Sequence, residues 1–396
     1  MRVALVNNFF TPRASGSAHL TEGLARHLAA MGVEVLVVTA AFEDAHDDEE
    51  RDGYRIVRLP SWSVPKSALT MRFDVNFATS PRNYRRLGRE LDGFAPHVVH
   101  QHGQFFDLTF MSSVYAARHA TPTVLSIHTR LEHTSRLHDL VLQAGDRTLV
   151  RYFVARSKPD VVIMDRQMHD YVQQRYGIPE DRLAPIPVGV EPARFGQDGG
   201  AVRARLGLGD RPVVLSLGHV IPVRDRLALV EAMPHLIRRQ PDVAVVIVGI
   251  VYDDRFLRRA RELGVDDHLV LTGGVPKDEV PDYLAAADVE AHDLQGYGLG
   301  TASLEMMAAG VPVVASVRED NFVGFQLRSW ADLVLVPRDD PAELGDALAR
   351  LIEDRELADR IREGQRRLID AHFSLDAVAR AHLELYERVG GRSASG

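Results

Sequence analysis

The chain has 396 residues, 45% of them hydrophobic and 26% charged, the proportions of a soluble globular protein too long for one ordinary core. Its formal net charge of -8 argues against nucleic acid as a partner, because backbone binding needs a basic footprint. No apolar run approaches the ~20 residues that span a bilayer. There is no cysteine to form disulfides, and MRVALVNNFF lacks the basic segment, apolar run and small-residue cleavage site of a secretory signal, so a cytoplasmic location is expected.

Residues 1–195 carry 23 basic and 22 acidic side chains, against 24 and 33 in the remainder. Such asymmetry suits two domains with different duties. From the amino end, RVALVNN reads as a strand, Ala18 to Met31 as a helix and VEVLVVTA as the next strand. This spacing predicts βαβ units and a parallel sheet. YRIVRL, HVVHQH, TVLSIHT, VVIMD and LAPIPVGV read as further strands, with helices around Pro81 to Leu91 and from about His133 to Arg156.

A second series follows the polar stretch GQDGGAVRARLGLGD: PVVLSLGHV, VAVVIVGI, HLVLTGG, VEAHDL and LVLVPR as strands with amphipathic segments between them. The expected fold class is α/β, two Rossmann-like doubly wound parallel-sheet domains facing a central cleft. The first covers 1–195 and the second 196–373, then a helix over 374–389 and a disordered tail over 390–396. Ligands of open α/β sheets bind beyond the carboxyl ends of the strands, so the loops after strands are where chemistry is sought.

One such loop is GYGLGTASLEMMAAGVPVVAS, Gly296 to Ser316. A glycine-rich turn feeding a helix aims backbone N–H groups and the positive end of the helix at a ligand, which suits a phosphate. Thr301 is placed to cap that helix, and Glu305, one turn further in, is placed to accept the hydroxyls of a ribose. The plainer reading, a tight turn and a surface glutamate, stays open from this loop alone. After PVVLSLG, the segment HVIPVRDR sets His219, Arg224 and Arg226 beyond a strand of the same domain. There they could hold a diphosphate leaving group, or simply start a solvated helix.

These pieces together resemble a family, the retaining, metal-independent glycosyltransferases of the GT-B fold, and within them family 4. FTPRASGSAHLTEGLARHLAAMGVEVLVVTA looks like its opening, HVVHQHG and VLSIHT like its histidine-bearing strands, IPVGVEPARF like its domain junction, GHVIPVRDR like its basic loop, and LEMMAAGVPVVAS like its commonest signature. The resemblance implies transfer of a sugar from a nucleoside-diphosphate sugar, as co-substrate and without a cofactor or metal, with retention at the anomeric carbon.

Carried over position by position, the resemblance has Glu305 bind the ribose, while Tyr297, Gly298, Gly300 and Thr301 form the donor loop, the last two offering N–H groups to the diphosphate. Gly273 and Val275 border the base. Arg224 and His219 meet the phosphates, Ser15 and Gly16 close over them, and His128 sits near the donor sugar. The terminal helix would cross back to the first domain.

Departures from the pattern bear on mechanism. Where the family has a second glutamate, an ungapped alignment gives Tyr297, and a two-residue insertion gives Gln295. His219 stands for an arginine, Arg224 for a lysine and Val188 for an asparagine. A non-catalytic nucleotide-sugar-binding protein or a related coupling enzyme is therefore the alternative to a transferase. A dehydrogenase is disfavoured, since NNFFTPRASGSAH lacks G-x-G-x-x-G.

His100 and His102 share one face of a strand; they read as acceptor-side lining or plain structure ahead of a metal site, having no cysteine or helical histidine partner beside them. The expected acceptor is a small sugar, cyclitol or natural product, the alternative a lipid or growing cell-surface glycan. Arg82, Arg85, Arg86 and Arg89 with Tyr84 could touch a membrane peripherally at its inner face, but the short apolar face of that helix favours a solvated one.

Overall fold

The computed structural model describes every residue except 14, 44, 46, 65–74, 132–135, 192–198, 223, 225, 297 and 394–396. It divides into two compact units, Met1–Val188 with Leu375–Gly396, and Gly189–Ser374. The junction expected at 195 and 196 lies outside the described residues, as does Tyr297.

Unit 1 begins β1 (Arg2–Asn7), α1 (Gly16–Ala30), β2 (Glu34–Ala40), β3 (Glu49–Arg51), β4 (Tyr54–Leu59), β5 (Trp62–Val64), β6 (Val75–Phe77), α2 (Pro81–Phe94), β7 (Val98–His102) and α3 (Asp107–His119). It continues with β8 (Thr123–Ser126), α4 (Arg136–Gly145), a π-helical turn over Asp146–Val150, α5 (Arg151–Ser157), β9 (Asp160–Ile163), α6 (Arg166–Tyr176) and β10 (Leu183–Pro185). Eight strands form one sheet in the order β10-β9-β8-β7-β1-β2-β4-β3. Every pairing is parallel except that of the short edge strand β3. The β5–β6 hairpin stands apart and had no clear sequence signal.

Because side chains alternate along a strand, Val3 and Leu5 enter one core and Ala4 and Val6 the other, so both faces of the sheet are covered, as a parallel sheet requires. Local caps set the helices: the Ser15 and Ser80 hydroxyls accept from Ala18 and Asn83 N–H, and Pro81 opens α2 where its missing N–H costs nothing.

Unit 2 comprises α7 (Gly200–Arg205), β11 (Val213–Leu217), α8 (Leu227–Arg239), β12 (Ala244–Val248), α9 (Arg255–Leu263), β13 (Leu269–Gly273) and α10 (Val280–Ala285). There follow β14 (Val289–Ala291), α11 (Thr301–Ala308), β15 (Val313–Ala315), β16 (Val334–Leu335), α12 (Pro341–Glu353) and α13 (Arg355–Leu368). Its parallel sheet runs β13-β12-β11-β14-β15-β16. That is the Rossmann order, with its reversal between β11 and β14. Val245 and Ile247 pack on one side and Ala244, Val246 and Val248 on the other.

The last helix, α14 (Leu375–Ser393), belongs to unit 1 and packs on α1, where Gly23 leaves room for Leu375. It continues past the expected end at 389. Residues 390–393 are helical rather than a disordered tail, and Arg392 reaches Asp160 at 3.3 Å.

Candidate functional site

In unit 2 the loops after β11, β12 and β13 are tied to one another at the carboxyl edge of the sheet. Gly218 N–H donates to the Val248 carbonyl (2.8 Å), Val220 to Ile250 (3.0 Å) and Gly249 to Gly273 (2.9 Å). Glycine is required at 249, where φ is +147° and a Cβ would lie 2.4 Å from the Gly218 oxygen. His219 is exposed, and its Nδ1 accepts from Ile250 N–H at 3.0 Å. The ring therefore carries its neutral-state proton on Nε2, which is left to donate to a ligand. Arg224 is also exposed, with its backbone closed onto Ile221.

Gly273 (φ +71°) lies at the end of β13, and Val275 packs partly against the core. Gly298 takes φ +104° in the loop before α11. Thr301 is the exposed first residue of that helix and Glu305 is half-buried on its next turn. Gly300, not Thr301, occupies the capping position. Its N–H is also already committed, to Asp293 Oδ2 at 2.6 Å, so the expectation that Gly300 offers this group to a diphosphate is corrected. The first helical amides beyond it keep no intrahelical partner.

Sequence reasoning also missed what lies beneath. Arg226, read with its neighbours as a ligand-facing base, is 1% exposed and donates to the carbonyls of Arg224 (2.7 Å) and Gly218 (3.0 Å). Glu290 on β14 is fully buried; burial first, and then Asp293, push its carboxyl well above the usual range. Burial also raises Asp293, opposed by the Gly300 and Ser303 bonds and the nearby arginines. His292 is held well below the ordinary imidazole range by burial and by Arg226 and Arg224. The signal was there in VEAHDL, a strand ending in three ionisable residues where a parallel core strand should be apolar.

In unit 1, Ser15 Oγ is spent on the α1 cap (3.1 Å from Ala18 N) and Gly16 is exposed. The histidines form a ladder. His382 of α14 stacks on His100 (5.4 Å between ring centres), His100 lies 4.2 Å from His102, and His102 stacks on His128 at 5.4 Å. His100 is fully buried, with Nδ1 on Tyr386 Oη (2.6 Å) and Nε2 on Ser126 Oγ (2.7 Å). Both nitrogens are used and the ring reaches no surface, so His100 is a core group and not acceptor lining.

His102 is 2% exposed, and its Nδ1 meets His128 Nε2 at 3.2 Å. His128 is half-buried, and its Nδ1 faces the Met164 sulfur at 3.4 Å. A thioether only accepts, so His128 is protonated on Nδ1 and His102 donates to its Nε2. Burial holds all four rings neutral, His128 and His382 at about 4. Among the described residues no group of three or more His, Cys, Asp or Glu is arranged to hold a metal, and no helix is long and apolar enough to cross a membrane.

Two Rossmann-like units, one with a basic and glycine-rich rim at the reversal of its sheet, define a GT-B glycosyltransferase that uses a nucleotide sugar. The family models match accordingly: "Glycosyltransferase Family 4" over residues 14–194 and "Glycosyl transferases group 1" over residues 201–368, and the chain belongs to this glycosyltransferase family.

A GDP-mannose-dependent alpha-(1-6)-phosphatidylinositol monomannoside mannosyltransferase of Mycobacterium tuberculosis is 30% identical over 402 residues, covering 96% of each chain. A D-inositol 3-phosphate glycosyltransferase of Kineococcus radiotolerans is 29% identical, over 98% of this chain and 95% of the relative. Among solved structures, Anabaena HepE in complex with UDP superposes with a TM-score of 0.71 at 15% identity, over 98% of this chain and all of the other.

Proposed function

We propose that the chain is a retaining, metal-independent glycosyltransferase that needs no cofactor and moves a sugar from a nucleoside-diphosphate sugar to a ring hydroxyl of a cyclitol or small sugar. The observation that carries this reading is the convergence of His219, Arg224, the start of α11 and Glu305 on one edge of the unit 2 sheet. The relatives act with GDP-mannose or on inositol-containing acceptors, which makes GDP-mannose and inositol derivatives the first substrates to test.

Glu305 accepts the ribose hydroxyls. Arg224, the His219 Nε2–H and the amides at the start of α11 stabilise charge as the bond from the anomeric carbon to the phosphate oxygen breaks. The acceptor oxygen attacks from the face that the phosphate leaves, and its proton passes to the leaving phosphate oxygen. The family resemblance assigns His128, steadied by His102, to the donor sugar.

A second reading has the acceptor ring carried on a lipid. The observation favouring it is an outward face of α4, α5 and the turn between them. Leu137, Leu140, Val141, Leu149 and Tyr152 are 44–69% exposed there, among exposed Arg136, Arg147, Arg151 and Arg156. Such a face suits an anionic membrane surface better than solvated α2.

Nucleoside-diphosphate sugars are screened for slow hydrolysis and for transfer, with free inositol phosphates and with phosphatidylinositol vesicles as acceptors. Arg224→Ala is expected to lower kcat about 100-fold, and Glu305→Ala to raise the donor KM about tenfold or more. Near wild-type turnover in both would refute the site; nucleotide binding with no donor ever consumed would favour the non-catalytic alternative. Transfer to the free acceptors alone would refute the lipid reading.

A further inference from the structure

The loop bearing His219 and Arg224 and the start of α11 come from opposite sides of the sheet reversal, and each is pinned from below by one charged side chain, buried Arg226 and Asp293, whose side chain is 10% exposed. Arg226 holds the first loop at both ends, through the carbonyls of Gly218 and Arg224. Asp293 holds the second: Oδ2 accepts from Gly300 N–H at 2.6 Å and from Ser303 Oγ at 2.7 Å, while its own carbonyl accepts from Ser316 of the neighbouring strand end at 2.8 Å.

Ser303 is fully buried, and its Oγ also lies 3.2 Å from Glu290 Oε1. A hydroxyl has one proton to give, and the shorter contact receives it. Burial pushes Glu290 toward its protonated form, which can return an O–H to the Ser303 oxygen. In Asp293 the bonds from Gly300 and Ser303 and the nearby arginines favour the anion, against the burial that raises its carboxyl. The fit at 300 is close: a Cβ there would sit 3.3 Å from Asp293 Oδ2, so the carboxylate would have to shift to admit one.

We propose that Asp293 is a positioning residue for the donor site: by binding the Gly300 amide and the Ser303 hydroxyl it sets where α11 begins. This rests on the nucleotide-sugar reading above. Gly300 therefore gives its N–H to the protein, and a diphosphate is left the amides of Thr301 and Ala302. Taking charged side chains out of water is a costly way to secure a loop. They are suited to a site where backbone groups must hold still while charge develops on a ligand.

The test compares Asp293→Ala with Asp293→Asn, whose amide oxygen can still accept from Gly300. In hydrogen–deuterium exchange, Asp293→Ala should speed exchange of the Gly298–Ala308 segment, and Asp293→Asn should keep most of its protection. With GDP and UDP as probes, Asp293→Ala should weaken binding about tenfold or more, with Asn restoring most of it, and Gly300→Ala should reproduce the alanine variant.

Unchanged exchange in a folded Asp293→Ala protein, or equal losses in the Ala and Asn variants, would overturn the proposal. If Asp293→Ala fails to fold, Ser303→Ala, which removes one of the two bonds, must show the same faster exchange at smaller amplitude or the proposal falls. A wild-type protein that binds neither nucleotide refutes the functional reading, while the exchange arm still decides the pinning.

Discussion

Each unit buries a polar cluster near the reversal of its sheet, and the two clusters are built from opposite chemistry. Unit 1 uses four imidazoles and a tyrosine, all uncharged and linked ring to ring from α14 to the end of β8. Unit 2 uses a buried arginine, a carboxylate, a neutral carboxylic acid and a histidine. A neutral cluster needs only hydrogen-bond partners, whereas a charged one needs compensating charge as well. The difference teaches where each is useful. The ladder ties the returning helix to the core and orients His128, while the ionic cluster holds the backbone before α11 and after β11.

Acidification should separate the two units most strongly. An imidazole whose folded pKa is depressed gives stability that is complete above its unfolded value of 6.5 and is lost as pH falls toward the folded value, about 4 for His128 and His382. Each of these contributes on the order of 3 kcal/mol across that window, and His100 and His102 act in the same direction. In unit 2 the raised Glu290 works the other way: the folded state holds its proton more tightly, so stability grows as pH falls, offsetting depressed His292.

Each unit holds one tryptophan, Trp62 in unit 1 and Trp330 in unit 2. Fluorescence of Trp330→Phe and Trp62→Phe proteins in urea, from pH 7 to 4, should show unit 1 unfolding first. Earlier loss of unit 2 would break the comparison.

A smaller effect is expected from Arg226→Met, which keeps the buried stem but removes the charge opposite Asp293 and the donors to two carbonyls. It should cost about 3 kcal/mol, read from the urea midpoint of the Trp330 signal, with the Trp62 signal unmoved. The smallest is Tyr386→Phe, which leaves a buried His100 nitrogen without its partner, for about 1–2 kcal/mol. If Arg226→Met proved milder than Tyr386→Phe, the buried charge would not be holding the donor loops.

Much of this was legible in the chain. Apolar runs spaced by amphipathic segments announced both sheets, and the glycine turn running into Leu304–Ser316 located the start of α11 and the half-buried Glu305. The edge strand β3 and the β5–β6 pair were not, because three polar or mixed residues leave no apolar run to read. Nor was the fate of His100, Arg226 and Gly300. A histidine on a strand, an arginine after one and a glycine before a helix look the same whether they face a ligand or the interior.

The sequence by itself determined the two Rossmann-like domains and the loops that follow their strands, because backbone periodicity and turn chemistry are local properties of the chain. Only the tertiary structure decided which polar groups those loops still offer. Asp293 takes the Gly300 amide, Arg226 turns inward to two carbonyls, and Tyr386 comes from 286 residues away to occupy His100. Burial and partnership depend on what folds over a residue, and no local pattern encodes that.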